Sequence, residues 1–376
     1  PSDEIIAGYF KLFHNCLSYV IDHRDIIAKV PNDYRKMKTF ISPLSRTAAI
    51  TTLVLLMLSS NAFGIAGSQA AGQGDNPYPS YRVTGFMEQN FTYEEDADPE
   101  AAFSIHRARV GIAGRFNELI SLNIVAGALE PPNRNPQLVN AFVDFDIHPM
   151  FRLRTGQFLV PFGLEGPEPI FMNPAIERSL TVRRMNDLRM FRDVGIQASG
   201  SQDGISYAIA LINGTGANVA ERIDPKDLIG RFGYQATGEL ALGASFHMGK
   251  RPVAAEPNRF RFGVDATWRS DPLLIRGEYI IRTDEQPAGS NLNQHGGYVL
   301  AGYHFNEELQ GILRLEMHRP DTDPDFSDSA LTILTAGLNY YLQGQTRISL
   351  NYEVRSDRRD NADPGNLLTL QMQIVL

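Results

Sequence analysis

From Tyr81 to Leu376 the chain keeps a two-residue hydrophobic period, broken into segments of about ten residues. A period of two sends alternate side chains to opposite faces of a strand, so this stretch builds sheet. The segments fall at 81–93, 103–116, 119–129, 137–147, 151–160, 192–200, 204–213, 227–237, 240–250, 259–269, 272–283, 296–305, 309–319, 330–342, 345–356 and 366–376. Tight turns at Asn117-Glu118, His148-Pro149, Gln202-Asp203, Gly238-Glu239, Ser270-Asp271, Asn306-Glu307 and Gln343-Gly344 alternate with longer polar connections. The longer ones lie near 94–102, 130–136, 161–191, 214–226, 251–258, 284–295, 320–329 and 357–365. Short turns on one rim and long loops on the other are what an outer-membrane barrel requires, and an even strand count leaves both termini on the short-turn side. A soluble sandwich has no reason to sort its connections so regularly. Closure follows from lipid, where an open sheet edge would leave backbone groups unpaired in hydrocarbon. The expected fold is therefore all-β: a transmembrane antiparallel barrel of about sixteen strands, its long third loop folded into the pore.

Parity assigns the faces. In the second strand Ala108, Val110, Ile112 and Phe116 suit lipid, and Arg107, Arg109 and Arg115 then point inward. In the tenth, Phe260, Phe262, Val264, Ala266 and Trp268 oppose Arg259, Arg261, Asp265 and Arg269. The eleventh, thirteenth and fifteenth repeat the pattern, with Arg276, Glu278, Arg282, Arg314, Glu316, His318, Arg347, Asn351, Glu353 and Arg355 inward. A charged inside and an apolar outside is the inverse of a soluble barrel.

The connection between the fifth and sixth strands stands apart. Pro161 ends the fifth strand, because proline cannot donate to a ladder. The residues that follow show no strand alternation until Val194, Ile196 and Ala198, and a connection this long inside a compact domain is usually functional. It carries Arg178, Arg183, Arg184, Arg189 and Arg192. Arg107, Arg109, Arg152 and Arg154 join them as candidate pore or constriction residues, because parity directs these four inward near one part of the sheet. Two readings of the arginines stay open. A guanidinium keeps its charge and offers a planar fork to oxyanions, and arginines in a narrow pore favour anions. Alternatively, the same arginines pair with Glu165, Glu168, Glu177, Asp187 and Asp193 and pin the loop to the wall.

Net charge is −8, which argues against non-specific nucleic-acid binding, since that rests on phosphate neutralisation. After Lys38 the only lysines are Lys226 and Lys250, so arginine carries nearly all the basic charge. The single cysteine, Cys16, excludes an intrachain disulfide. His14 and Cys16 are two possible ligands, which do not make a metal site, and no cofactor is expected.

Residues 37–62 read as an export signal. Met37, Lys38 and Arg46 precede the apolar run Thr47 to Leu58, and Ser60-Asn61-Ala62 offers small residues for cleavage. The run is too short to span a bilayer core, which takes ~20 residues. Residues 1–36 lie upstream of the signal and are expected to be an upstream extension from an overlong gene model. Residues 63–80 are a small-residue linker, and residues 81–376 form the barrel.

Three stretches resemble the phosphate-selective porin O/P family of outer-membrane channels. They are Val143 to Gly163 with its Gly-Gln-Phe and Pro-Phe-Gly pattern, Glu177-Arg178 with Arg192-Asp193-Val194-Gly195, and Asn213-Gly214-Thr215-Gly216-Ala217-Asn218. The resemblance implies a homotrimeric sixteen-stranded porin whose third loop enters the pore. Phosphate-selecting members use pore lysines beside arginines, which this barrel nearly lacks, and such barrels normally end in an aromatic residue where this chain ends in Leu376. The expected function is a passive, anion-biased diffusion channel of the Gram-negative outer membrane, with small anionic solutes and membrane lipid as partners.

A non-conducting structural or adhesive barrel is the alternative, followed by an outer-membrane hydrolase. No G-x-S-x-G or H-E-x-x-H motif occurs, and Asn213-Gly214-Thr215-Gly216 lacks the lysine and helix of a phosphate loop. The histidines available to a hydrolase are His106, His148, His247, His295, His304 and His318; parity turns His318 inward and His106 outward.

Overall fold

The computed structural model describes residues 77–131, 135–221, 224–251, 253, 257–286, 291–322, 330–357 and 365–376. The expectations for 1–36, for the signal at 37–62, for His14 and Cys16 and for linker residues 63–76 lie outside the described residues.

The sixteen expected strands all form. They are β1 (Ser80–Glu94), β2 (Ala101–Arg115), β3 (Ile120–Leu129), β4 (Gln137–His148), β5 (Phe151–Leu159), β6 (Arg192–Gln202), β7 (Ile205–Ile212) and β8 (Asp227–Gln235). The second half comprises β9 (Leu240–Lys250), β10 (Asn258–Ser270), β11 (Leu273–Glu285), β12 (Asn291–His304), β13 (Leu309–Arg319), β14 (Leu331–Gln343), β15 (Thr346–Asp357) and β16 (Leu367–Val375). Each pairs antiparallel with its chain neighbours, and β1 pairs with β16 from Phe86↔Val375 to Glu94↔Leu367, so the barrel is closed and has no free edge. The connection expected near 284–295 narrows to 286–290, because pairing continues through Thr283↔Asn293 to Glu285↔Asn291.

The alternation places side chains as parity requires over most of the wall. On β10, Phe260, Phe262 and Val264 are exposed while Arg259, Arg261 and Asp265 are buried. On β15, Ile348, Leu350, Tyr352 and Val354 are exposed while Arg347, Ser349, Asn351 and Glu353 are buried. A β-bulge breaks the rule on β2. Arg107 faces Glu88 and Ile105 faces the next residue, Gln89, which leaves His106 as the extra residue. His106 therefore turns inward with Arg107, correcting its expected outward placement, and its ring reaches Glu177 at 2.6 Å.

The interior is not purely polar. Inward-facing Phe158, Ala210, Ile212, Ile229, Ile280, Leu300 and Ile312 form one buried cluster with Val182, Met185 and Leu188 of the 160–191 segment. Burying such side chains is worth roughly 1.5–3 kcal/mol each, so the segment has an apolar seat as well as polar grips.

Candidate functional site

The chain turns inward as soon as β5 ends. Gly163 adopts φ 75, a left-handed backbone that suits glycine, and a side chain there would collide with the Glu278 carboxylate. The Gly163 amide donates to Ser245 Oγ at 3.0 Å, and the Glu165 amide to Glu278 at 3.3 Å. The segment's two ends are joined by Val160 N–H donating to the Phe191 carbonyl at 3.0 Å. Between them lies α1 (Leu180–Met185), capped by Ser179 Oγ, which accepts from Val182 N–H at 3.1 Å.

Side chains from strands far around the ring hold the segment. Arg276 of β11 pairs with Glu165 and Glu168 at 3.4 and 2.9 Å and donates to Asn173 at 2.8 Å. Gln373 of β16, Arg347 of β15 and Asn339 of β14 donate to the carbonyls of Phe171, Asn173 and Pro174. Arg314 of β13 donates to the Glu177 carbonyl at 2.7 Å, and Glu316 accepts from the Leu180 amide. Beyond β16 and β1 in the ring, Arg107 of β2 pairs with the Glu177 carboxylate at 3.0 Å. Arg259 and Arg261 of β10 and Arg282 of β11 converge on Asp187. Arg261 in turn meets His247, whose other ring nitrogen is 2.7 Å from Asp227.

The candidate arginines separate into groups. Arg107 joins Glu88 and Glu177, and Arg109 makes a two-pronged pair with Glu130 at 2.6 and 2.7 Å. Arg154 makes a similar pair with Asp144, with its guanidinium 3.9 Å from the centre of the Phe142 ring. Arg152 pairs with Asp146 beside the β4–β5 turn and stays half exposed, away from the segment. Arg178 donates to the carbonyls of Glu165, Gly166 and Glu168 and lies over Phe191 at 4.5 Å. Arg192 donates to Asn140 and to the Met190 carbonyl. Arg183 and Arg184 are exposed on α1, and Arg189 is partly exposed. Arg183 and Arg189 have no carboxylate within ion-pair reach among the described residues.

The grips keep Glu177 and Asp187 ionised. Burial alone would raise the Glu177 carboxyl, but Arg107, His106 and Arg183 outweigh it and hold it well below the usual range. Asp187 behaves alike: burial opposes ionisation, and Arg261, Arg259 and Arg282 overcome it, driving its pKa down.

The three stretches singled out in the sequence meet in space. Asp193 accepts from the amides of Val194, Gly214 and Gly216, the last two at 2.7 and 3.1 Å. Gln157 accepts from the Asn218 amide at 2.9 Å and donates to the Leu138 carbonyl. The Gly-Gln-Phe, Arg-Asp-Val-Gly and Asn-Gly-Thr-Gly runs are thus one hydrogen-bonded joint beside the segment. The histidines serve other contacts: His106 to Glu177, His247 to Asp227, His295 to Tyr279, His304 to Gln310 and His148 to the Met150 amide. Sequence reasoning missed Asp187's three partners, because they follow it by 72, 74 and 95 residues and no local spacing signals them.

A family model described as putative beta-barrel porin-2, OmpL-like, matches residues 111–373. No curated protein matches the sequence. Among solved structures, the trimer form of OmpT, an outer membrane protein of Vibrio cholerae, is 12% identical with a TM-score of 0.62, over 79% of this chain and 99% of that one. The anion-selective porin from Comamonas acidovorans is 14% identical with a TM-score of 0.60, over 79% and 100%. The outer membrane channel DcaP of Acinetobacter baumannii is 12% identical with a TM-score of 0.58, over 81% and 100%. At such identities the likeness is one of fold, and the family match is what classifies the sequence. The matched family is the OmpL-like porins; the match bears out an outer-membrane porin and does not extend to the O/P family that three stretches resemble. Across most of its barrel, the chain belongs to the putative beta-barrel porin-2, OmpL-like family.

Proposed function

We propose that this outer-membrane porin is a passive diffusion channel biased toward anions, with the 160–191 segment as its constriction. One observation carries the reading. The acids of the segment are taken up: Glu165 and Glu168 by Arg276, Glu177 by Arg107 and His106, and Asp187 by Arg259, Arg261 and Arg282. Arg183 stays exposed on α1 and Arg189 partly exposed, and neither has a carboxylate within ion-pair reach among the described residues. The segment therefore neutralises its negative charge against the wall and presents positive charge to solvent. Charges at a narrow passage are screened less than loop acids such as Glu94 and Asp321, which face bulk salt with a Debye length of ~8 Å. Small anionic solutes are the proposed cargo, and phosphate enters as a candidate through the O/P resemblance alone. The OmpT neighbour is described in a trimer form, and we extend a homotrimer to this chain as part of the proposal.

Reconstitution into planar bilayers tests the channel reading. Discrete, ohmic conductance steps are expected; an inserted, folded barrel that leaves the bilayer insulating would favour the structural or adhesive alternative.

The anchoring acids set a pH dependence. Asp187 and Glu177 have lowered folded-state values, so their contribution is fully present above the ordinary carboxylate range of ~4 and fades as pH falls through the depressed values. The seating that these two acids supply is expected to persist from neutral pH to about 4 and to fail, as a larger or noisier conductance, only on further acidification. The same conductance–pH profile in Asp187→Ala would mean that these acids do not hold the constriction.

A further inference from the structure

The outer wall is not smooth between β11 and β15. A groove of about 510 Å³ opens there, within the ~300–1,000 Å³ span of small-ligand sites. Strand pairing explains its shape. Tyr303, Gly311 and Leu338 lie side by side in one outward row, and Ala301, Leu313 and Ala336 in the next. Tyr303 and Leu338 are 46% and 48% exposed and stand on either side of Gly311, which has no side chain to fill the space between them. Ala301 and Ala336 lower the wall on either side of Leu313. The Tyr303 and Phe305 rings meet edge-on at 5.3 Å and form part of the lining. No charged side chain lines the groove.

The groove lies toward the short-turn rim. Leu273 opens β11 just after the β10–β11 turn, and Phe305 belongs to the β12–β13 turn. Short turns are periplasmic in outer-membrane barrels, so the groove faces the periplasmic leaflet. The two turns beside it carry Asp271, Glu307 and Glu308, all exposed. None of the three is in an ion pair among the described residues. Exposed Arg269 is the base nearest to Asp271 in sequence, and the third turn, Gln343-Gly344-Gln345, has no charge. The rim of this sector therefore sets three acids against one base.

We propose that this groove holds an acyl chain of one phospholipid with an ammonium head group, of the phosphatidylethanolamine type, whose head lies against Asp271, Glu307 and Glu308. The inference needs only the outer-membrane barrel and is independent of ion selectivity. Hydrocarbon gains no hydrophobic energy by leaving lipid for a protein wall. What it gains is contact: a gap beside Gly311 forfeits dispersion, and a chain lying in the groove restores it. The acids then choose the head group, because they attract an ammonium and repel a lipid of net negative charge. A second copy meeting this face about a two-fold axis would bring the same three acids against themselves.

The test is native mass spectrometry of the protein released from bilayers of equal phosphatidylethanolamine and phosphatidylglycerol. The wild type is expected to retain one phospholipid per barrel, with phosphatidylethanolamine favoured by about fivefold, the scale of one or two exposed charge contacts. Gly311→Leu with Ala336→Leu fills the groove and should cut that retention by about tenfold. Glu307→Gln with Glu308→Gln should keep a lipid bound and lose the preference between head groups. A wild type that retains no lipid, or both lipids equally, overturns the proposal. So does retention unchanged in the filled variant. A wild-type oligomer that carries no lipid and falls apart in the filled variant gives the groove to a second copy and overturns the proposal as well. If the filled variant fails to insert, the glutamine pair carries the comparison, and an unchanged preference there overturns the site.

Discussion

Asp187→Ala is expected to release the end of α1 and give a larger, noisier conductance than the wild type. Asp187 is the common partner of Arg259, Arg261 and Arg282, and its removal leaves buried guanidinium groups without that carboxylate. Breaking one partner of a buried pair typically costs 3–5 kcal/mol; the low end, about 3, applies here because the Asp187 side chain keeps 27% exposure. That is about a hundredfold in the ratio of released to seated segment. Arg261 suffers most, since it is fully buried and among the described residues would retain only His247 as a partner. Trypsin offers a second readout: the exposed Arg183 and Arg184 should be cut quickly in Asp187→Ala and slowly in the wild type. Identical conductance and identical cleavage would show that the apolar cluster of Val182, Met185 and Leu188 holds the segment without the ionic latch.

The barrel was legible because lipid imposes strict rules on each strand separately. Phe260 to Trp268 or Ile348 to Val354 reveal their faces with no knowledge of a partner strand. His106 was not legible, because a bulge is a relation between two strands: only the pairing of Arg107 with Glu88 and of Ile105 with Gln89 exposes the extra residue. The apolar seat was hidden for a similar reason. Ile212, Ile229, Ile280, Leu300 and Ile312 interrupt a polar inward row, and nothing local says that a segment from elsewhere will cover them. The loop's arginines and acids were visible as a group, while their division into paired and exposed members depends on strands far away in sequence.

Replacing Arg183, Arg184 and Arg189 together by alanine is the second large effect expected. Arg183 and Arg189 make no carboxylate pair among the described residues, whereas Arg107 grips Glu177 of the segment itself. Removing the exposed trio should move the reversal potential toward cations by a sizeable part of the ~59 mV that a tenfold salt gradient sets as its ceiling. Heat stability and insertion should change little, since surface charges contribute only ~0–1 kcal/mol each. Alanine at Arg109 should instead lower stability, because Glu130 would be left buried and unpaired. Unchanged selectivity in the triple variant would assign the anion bias to the wall.

The central claim is that positive charge exposed on the segment outweighs a net charge of −8 for the whole chain. The most direct measurement is the zero-current potential of wild-type channels in a planar bilayer under a tenfold potassium chloride gradient. The account predicts the sign set by chloride crossing faster than potassium. A potential of the opposite sign, set by potassium, would contradict it.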